Sequence, residues 1–227
     1  MINVLWVFYI EEHSMVMLTS HAFETPYEYL YQKETQTEFV LKVPSVQYHD
    51  DPAQLRAFFN EQWAGILLNN KKVMKVYPTP EHSQFLYQIC ELVEGVTLRQ
   101  WMYDNPKPSL EQVREILEKI TQGIRVLQRA DMVHRDLKPE NIMVQRNGDI
   151  KIIDLGAGLV RGIEEGEQAD KDSTPLGAVN YIAPESIKYN TATTSSDLFS
   201  IAVIGYEMLT DELPYSEMSA QSLKQSR

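Results

Sequence analysis

The first part of the chain contains aromatic and β-branched runs that are typical of strands. The predicted strands are residues 2–10, 27–30, 37–43, 73–77 and 85–93. Asp51-Pro52 pairs an N-cap residue with proline at the first helical position. The apolar residues that follow at helical spacing are Leu55, Phe58, Phe59, Trp63 and Ile66. This part therefore reads as a sheet with one helix.

Helical spacing dominates after Gly95. Ser109 and Gln112 form a capping box ahead of a helix with one apolar face. That face consists of Val113, Ile116, Leu117, Ile120, Ile124 and Leu127. Residues 197–209 are apolar on most faces, which predicts a buried helix.

Two features of the second part lie between these helices. Residues 143–145 and 150–153 are short apolar runs joined through Asn147-Gly148, which is a strong hairpin signal. Residues 164–173 are polar, acidic and rich in turn formers, so we expect a mobile loop there.

Composition narrows the function classes. A formal net charge of −11 leaves no basic surplus for phosphate backbones, which argues against nucleic-acid binding. The single cysteine, Cys90, predicts a reducing compartment, hence a cytoplasmic location. No apolar run reaches the roughly 18 residues that a bilayer span needs. Residues 2–10 lack a basic flank and run into Glu11-Glu12, so we interpret them as a strand rather than a signal peptide.

Candidate chemistry is concentrated in a loop before the predicted hairpin. Asp136 can orient a hydroxyl nucleophile, and Lys138 can reach a transferring phosphate as a point charge. Asn141 and Asp154 offer oxygens of the kind that Mg²⁺ prefers. Gly156 allows the chain to turn just after Asp154.

These residues belong to His-Arg-Asp-Leu-Lys-Pro-Glu-Asn at 134–141 and Asp-Leu-Gly at 154–156. The chain therefore resembles the eukaryotic-type protein kinase family, whose catalytic loop is H-R-D-L-x-x-x-N and whose metal motif is D-F-G. The roles given to these residues are the family's general ones. The resemblance extends over roughly residues 25 to 215, and Lys138 points to the Ser/Thr class.

The resemblance implies an α+β, two-lobed fold, with a small antiparallel-sheet lobe carrying one helix and a mainly helical lobe that lacks its last helices. Residues 1–90 would form the N-terminal lobe, 91–97 the hinge and 98–227 the C-terminal lobe. The activation segment would be 154–185, ending at Ala183-Pro184-Glu185.

Further family positions can be assigned by resemblance. Lys42, in Phe39-Val40-Leu41-Lys42, would hold the ATP phosphates and pair with Glu61, which could instead be an exposed helix carboxylate. Asp197 would hold the backbone of the catalytic loop, or simply cap its helix. The backbone of Glu91 and Val93 would contact adenine. Cys90 would be the gatekeeper, which a small buried hydrophobic residue also describes.

The chain departs from the family pattern in four places. The first glycine is Gly65, so the Gly-rich phosphate loop is missing and residues 19–25 would replace it. Leu155 replaces the phenylalanine of D-F-G, and Gly177-Ala178 replaces the usual Gly-Thr. The chain also ends soon after the predicted buried helix at 197–209, so we expect a C-terminally truncated kinase domain.

The resemblance predicts an ATP- and Mg²⁺-dependent Ser/Thr protein kinase acting on a protein substrate. More narrowly, it is similar to the kinase half of bacterial phosphatase–kinase fusion proteins, with a phosphatase domain as a possible partner. The departures leave open a pseudokinase or kinase fragment that acts as a nucleotide- or protein-binding module. A small-molecule kinase is the third alternative.

Overall fold

The computed structural model describes residues 3–10, 13–19, 27–32, 37–43, 52–79, 86–155, 159–160, 179–189 and 192–215. The chain divides into two compact units, Met1–Asn69 with Met74–Val93, and Asn70–Val73 with Glu94–Arg227. Residues 70–73 thus belong to the second unit, although they precede the predicted hinge. The predicted lobe and hinge boundaries stay predictions.

The first unit is built on a six-stranded antiparallel sheet. Its strands are β1 (Asn3–Ile10), β2 (His13–Thr19), β3 (Tyr27–Gln32), β4 (Thr37–Lys42), β5 (Val76–Tyr77) and β6 (Gln88–Glu91), in the order β1-β2-β3-β4-β6-β5. Helix α1 spans Pro52–Leu67. In the register of β4 and β6, Lys42 lies opposite Gln88 and Val40 opposite Cys90.

Helix α1 packs on the sheet through a face that matches the predicted apolar face only in part, since Phe58 belongs to both. Phe58, Glu61, Ala64 and Leu68 are buried. In contrast, Phe59, Trp63 and Ile66 are exposed, although the sequence placed them on the apolar face. The buried residues recur every three to four positions from Phe58, as expected for one face of a helix. Glu61 can lie on this buried face because Lys42 pairs with its carboxylate.

The second unit combines short strands with helices. The elements are β7 (Gly95–Thr97), α2 (Leu98–Asp104), α3 (Leu110–Arg129), β8 (Met132–Val133), β9 (Ile142–Gln145), β10 (Ile150–Ile152), β11 (Leu159–Val160), α4 (Pro184–Tyr189) and α5 (Thr194–Thr210). The described part of this unit also contains 3-10 turns at Pro139–Asn141 and Val179–Tyr181. Strands β10, β9 and β7 form one sheet in that order, and β11 pairs with β8.

Helix α3 lies at the centre of this unit. The predicted capping box is present, with Ser109 Oγ accepting the Gln112 N–H and the Gln112 side chain accepting the Ser109 N–H. A Cβ on Gly123 would lie 2.7 Å from Ile152 Cδ1, and one on Gly205 would lie 2.8 Å from Leu117 Cδ1. The helix therefore approaches β10 closely on one side and α5 on another.

The predicted hairpin is confirmed, with Ile150 opposite Val144 and Ile152 opposite Ile142. Its turn uses Gly148 at a φ of 78°, a conformation that favours glycine. Asn147 Oδ1 accepts the Asp149 N–H at 2.9 Å, which is the local bond that makes asparagine a turn residue.

Helix α5 begins at Thr194 and is less completely buried than its apolar sequence predicts. Ile201, Val203, Ile204 and Met208 are buried, whereas Leu198, Tyr206 and Leu209 are exposed. In the part of the chain that the structure describes, no helix is both long and apolar enough to span a membrane. The predicted loop at 164–173 lies outside the described residues.

Candidate active site

The loop between β8 and β9 brings three of the predicted site residues together. Lys138 Nζ lies 2.8 Å from Asp136 Oδ2. Asn141 Nδ2 donates to the same oxygen at 3.0 Å and to the Asp136 carbonyl at 2.8 Å. The Asp136 side chain is 14% exposed and the Lys138 side chain 23%. The carboxylate is thus held in one orientation while it remains accessible to solvent.

The first residues of this loop are anchored to helix α5. The Asp197 carboxylate accepts the His134 N–H at 3.0 Å and the Arg135 N–H at 3.2 Å. Arg135 has a φ of 69°, in the left-handed region that non-glycine residues seldom adopt. Asp197 is buried inside the helix, whose N-cap is Thr193, so it does not cap the helix.

Burial and hydrogen bonding act in opposite directions on Asp197. Burial raises the pKa of this carboxyl above its usual value, because the charged form loses solvation. The electrostatic interaction with His134 and the two backbone N–H donors lower the pKa of Asp197 and favour the carboxylate, but burial outweighs them. The two N–H bonds are those expected of a residue that fixes the shape of a loop.

Asp154 follows β10 and is tied to the same loop through the main chain. The Ile153 N–H donates to the Asn141 carbonyl at 3.0 Å, so the residue before Asp154 is bonded directly to Asn141. Asp154 itself has a φ of 61°. Leu155 is buried, as expected for an apolar residue that replaces the phenylalanine of the family motif. Gly156 lies outside the described residues.

Asn141 and Asp154 provide oxygens that fit a Mg²⁺ ion. Asn141 commits its Nδ2 to Asp136, which orients the amide and leaves Oδ1 as the atom that can face a cation. Among the described residues, no group of three or more His, Cys, Asp or Glu could hold a metal by itself. Mg²⁺ commonly binds one or two protein ligands and completes its shell with water and phosphate oxygens, so this donor set suits it.

The first unit contains the predicted pair of Lys42 and Glu61. Lys42 Nζ on β4 forms an ion pair with Glu61 Oε2 on α1. The Lys42 side chain is 16% exposed and that of Glu61 only 2%. Glu61 is therefore not an exposed helix carboxylate. Gln88, opposite Lys42 in the register, donates from Nε2 to the Phe58 carbonyl and so ties α1 to β6 one turn before Glu61.

The predicted hinge begins at Glu91, the last residue of β6. Cys90 is buried, which is consistent both with a gatekeeper position and with a small buried hydrophobic residue. The Glu91 N–H donates to the Lys75 carbonyl at 2.9 Å, and the Glu91 side chain accepts the Lys75 N–H at 3.1 Å. The Glu91 N–H is thus used within the first unit. Val93 is the last residue of that unit.

Sequence reasoning missed a cluster around Arg99 on α2. Arg99 contacts Glu140 in the catalytic loop, Tyr181 just before Ala183 and Glu207 on α5. We call these four residues the Arg99 cluster. Glu140, Tyr181 and Glu207 follow Arg99 by 41, 82 and 108 residues, so no local spacing in the sequence indicates the contact. The Gly177-Ala178 departure lies outside the described residues.

The comparisons with known proteins agree with this geometry. A family model described as the protein kinase domain matches residues 28–227. The chain is 33% identical over 187 residues to serine/threonine-protein kinase PknL of Mycobacterium tuberculosis, covering 82% of the chain and 46% of PknL. It is 28% identical over 186 residues to serine/threonine-protein kinase PrkC of Bacillus subtilis, covering 82% and 28%.

A probable serine/threonine-protein kinase PknB of Lactococcus lactis is 27% identical over 183 residues, which cover 81% of the chain and 29% of that relative. The chain spans less than half the length of these curated relatives. The family match covers most of the chain and includes every site residue described above. This chain belongs to the protein kinase domain family.

Proposed function

We propose that the chain is an ATP- and Mg²⁺-dependent serine/threonine protein kinase that transfers the γ-phosphoryl group to a protein hydroxyl. One observation carries this proposal: Asp136, Lys138 and Asn141 form a single hydrogen-bonded group on a loop anchored by Asp197. The printed names of the bacterial relatives support the same activity and the Ser/Thr class.

Each site residue has a defined task in this proposal. Asp136 orients the attacking hydroxyl and accepts its proton, and Lys138 offsets charge on the transferring phosphate. Lys42, held by Glu61, binds the α- and β-phosphates, and the backbone of Glu91 and Val93 binds adenine. Asn141 and Asp154 would hold Mg²⁺, which when bound neutralises phosphate charge.

A transfer assay tests the proposal. The purified chain is incubated with Mg²⁺ and labelled ATP on basic and acidic protein substrates, beside Asp136→Asn and the control Asp104→Asn. Asp104 is an exposed carboxylate on α2. Loss of a positioned base predicts a rate lower by a factor of about 10² to 10⁴ in Asp136→Asn. Transfer that is equal in both variants would contradict the assignment.

A nucleotide-binding module without turnover is the second candidate. The absence of any glycine before Gly65 favours it, since a Gly-rich loop lets the backbone approach the phosphates. This candidate predicts that ATP with Mg²⁺ raises the melting temperature while no labelled protein forms. ATP consumption that requires an added small molecule, again without labelled protein, would instead favour a small-molecule kinase.

We infer three further properties of the protein from its sequence. The similarity to the kinase half of phosphatase–kinase fusions suggests a phosphatase domain as partner. The single cysteine suggests a cytoplasmic location. The substrate is a protein that presents a serine or threonine hydroxyl.

A further inference from the structure

The Arg99 side chain joins three other segments of the second unit. Its Nε donates to Glu140 Oε1 at 2.7 Å, its Nη1 to Glu207 Oε1 at 2.6 Å, and its Nη2 to the Tyr181 hydroxyl. Each nitrogen therefore has a different partner. The planar guanidinium carries donors in a fixed fork, so it can hold three acceptors at set angles, which an ammonium cannot do.

A further bond within the cluster closes a ring. The Tyr181 hydroxyl donates to Glu207 Oε2 at 2.6 Å, while Glu207 Oε1 accepts from Arg99. Tyr181 and the Glu207 side chain are largely buried, at 5% and 12% exposure. The Arg99 side chain is 38% exposed and Glu140 is 45% exposed. The ring is thus the shielded part of the cluster, and Glu140 is attached to it at the solvent side.

The charges of the cluster agree with these donor directions. Burial and the Glu207 carboxylate raise the pKa of Tyr181 well above its usual value. The phenol therefore stays protonated and donates a hydrogen bond to Glu207. Partial burial lowers the pKa of Arg99, but its contacts with Glu207, Glu140 and Tyr181 outweigh that effect and raise the pKa overall. Arg99 therefore remains a cation that serves both carboxylates.

The positions of the partners along the chain suggest what the cluster does. Glu140 lies in the 3-10 turn between Lys138 and Asn141, within the loop that carries Asp136. Tyr181 ends the 3-10 turn that leads into Ala183-Pro184-Glu185. Ser200 Oγ on α5 donates to the Tyr181 carbonyl at 2.7 Å, so the main chain of Tyr181 has a separate attachment that does not need Arg99.

We propose that Arg99 is a positioning residue that holds Glu140 and the Tyr181 side chain in a fixed relation, so that the loop carrying Asp136 stays aligned with the segment leading into Ala183-Pro184-Glu185. This inference deepens the proposed kinase function and rests on it for its consequence in catalysis. Arg99 touches no reacting group. It acts through its two neighbours, one on each segment.

The test compares Arg99→Ala and Arg99→Lys with Arg114→Ala. Arg114 is a matched control because it also bonds two carboxylates, Glu111 and Glu118, but on the exposed surface of α3. Hydrogen exchange is followed by mass spectrometry in peptides that cover residues 139–142, 179–183 and the centre of α3. Faster exchange is expected in the first two peptides of both Arg99 variants, with α3 unchanged, because only the local openings become easier.

Steady-state kinetics of the Arg99 variants distinguish a positioning role from a general contribution to stability. A misplaced protein substrate should lower kcat/KM for that substrate between about tenfold and a hundredfold in both Arg99 variants, with KM for ATP nearly unchanged. Wild-type kinetics in Arg99→Ala or Arg99→Lys would overturn the inference. Equal loosening of α3 together with the two loop peptides would also overturn it, because that result means general destabilisation.

The experiments also distinguish a failure of the proposed kinase function from a failure of the Arg99 inference. If the wild-type chain transfers no phosphate, the kinase proposal fails, and the exchange arm alone decides whether Arg99 aligns the two segments. Unchanged exchange at 139–142 or at 179–183 in Arg99→Ala overturns the inference in either case.

Discussion

Glu61 is a carboxylate on the buried face of α1, where Lys42 provides an opposite charge. Its side chain is 2% exposed and pairs with Lys42 on β4. Transferring a charged group from water into the protein has a large desolvation free energy. The attraction between two buried opposite charges usually does little more than offset that penalty. A pair of this kind is therefore better explained by a task in the site than by stability.

The two members of the Lys42–Glu61 pair should respond differently to single and to double substitution. Glu61→Gln alone should lower the free energy of unfolding by about 3 kcal/mol, because it leaves Lys42 partly buried without that charge. The double variant Lys42→Met with Glu61→Leu should recover most of the loss, while phosphoryl transfer stays lost in both. Urea denaturation and the transfer assay measure the two effects.

The exposed pair of Arg114 and Glu118 provides the control for this prediction. Their side chains are 60% and 58% exposed, so Glu118→Gln should change stability by less than about 1 kcal/mol. If the double variant at Lys42 and Glu61 were no more stable than Glu61→Gln, the pair would be an important contributor to folding, contrary to our interpretation.

At the scale of the elements, Asp197 attaches α5 directly to the catalytic loop. Asp197 lies in the first turns of the helix and accepts two N–H groups from the residues before Asp136. One of these residues, Arg135, adopts a left-handed conformation that its own side chain does not favour. The contact between helix and loop therefore holds a backbone shape that the loop sequence alone would not maintain.

Replacing Asp197 should disturb both stability and catalysis. Asp197→Ala removes the acceptor of the buried His134 N–H and of the partly buried Arg135 N–H, and it should cost about 1–3 kcal/mol of unfolding free energy for each group left unsatisfied. Asp197→Asn should also destabilise, because the amide presents a donor to one of these N–H groups. Thermal denaturation and the transfer assay are the measurements.

The same helix offers a matched control at its other end. Asp211 is an exposed C-cap residue with a φ of 58°, where asparagine is well tolerated. Asp211→Asn should therefore leave stability and transfer close to those of the wild type. An Asp197→Asn variant that behaves like Asp211→Asn would show that the two N–H bonds do not shape the loop.

At the scale of the whole molecule, the two units are not consecutive in sequence. Residues 70–73 belong to the second unit. The Ile152 N–H donates to the Lys72 carbonyl at 2.8 Å, and Val73, which is fully buried, forms a parallel bridge with Ile152. Lys72 Nζ also lies 3.0 Å from Asp149 Oδ1 in the hairpin turn. Main-chain pairing and an ion pair thus attach this segment to β10 and its turn.

The ion pair in this attachment predicts a pH dependence. The bond from Lys72 holds the pKa of the Asp149 carboxyl below its usual value. The folded chain then binds fewer protons at this site than the unfolded chain. The contribution is therefore complete above the unfolded pKa of about 3.9 and is lost as the pH falls through the lower folded pKa.

Urea denaturation of the wild type and Asp149→Asn measures this contribution. The Asp149 side chain is 40% exposed, so screening by solvent keeps the expected difference at pH 6 below about 1 kcal/mol. The difference should shrink as the pH falls below 4 and should also decrease in about 1 M salt. A difference that stays constant between pH 6 and pH 3 would contradict the pairing.

Features that depend on neighbours in sequence were predictable. The capping box of α3 joins residues three apart, and the hairpin of β9 and β10 needs only a turn signal between two apolar runs. The group of Asp136, Lys138 and Asn141 is also local, since its first and last members are only five positions apart. Short elements with little pattern of their own, such as β7 and α2, were not predicted.

By itself, the sequence determined the family, the capping box of α3, the hairpin of β9 and β10 and the residues of the catalytic loop, because each of these lies in one contiguous stretch of the chain. Only the tertiary structure decided which face of α1 is buried, that residues 70–73 join the second unit and that Arg99 meets Glu140, Tyr181 and Glu207. The physical reason is range. Burial and charge pairing depend on which distant segments meet, and no local period encodes that choice.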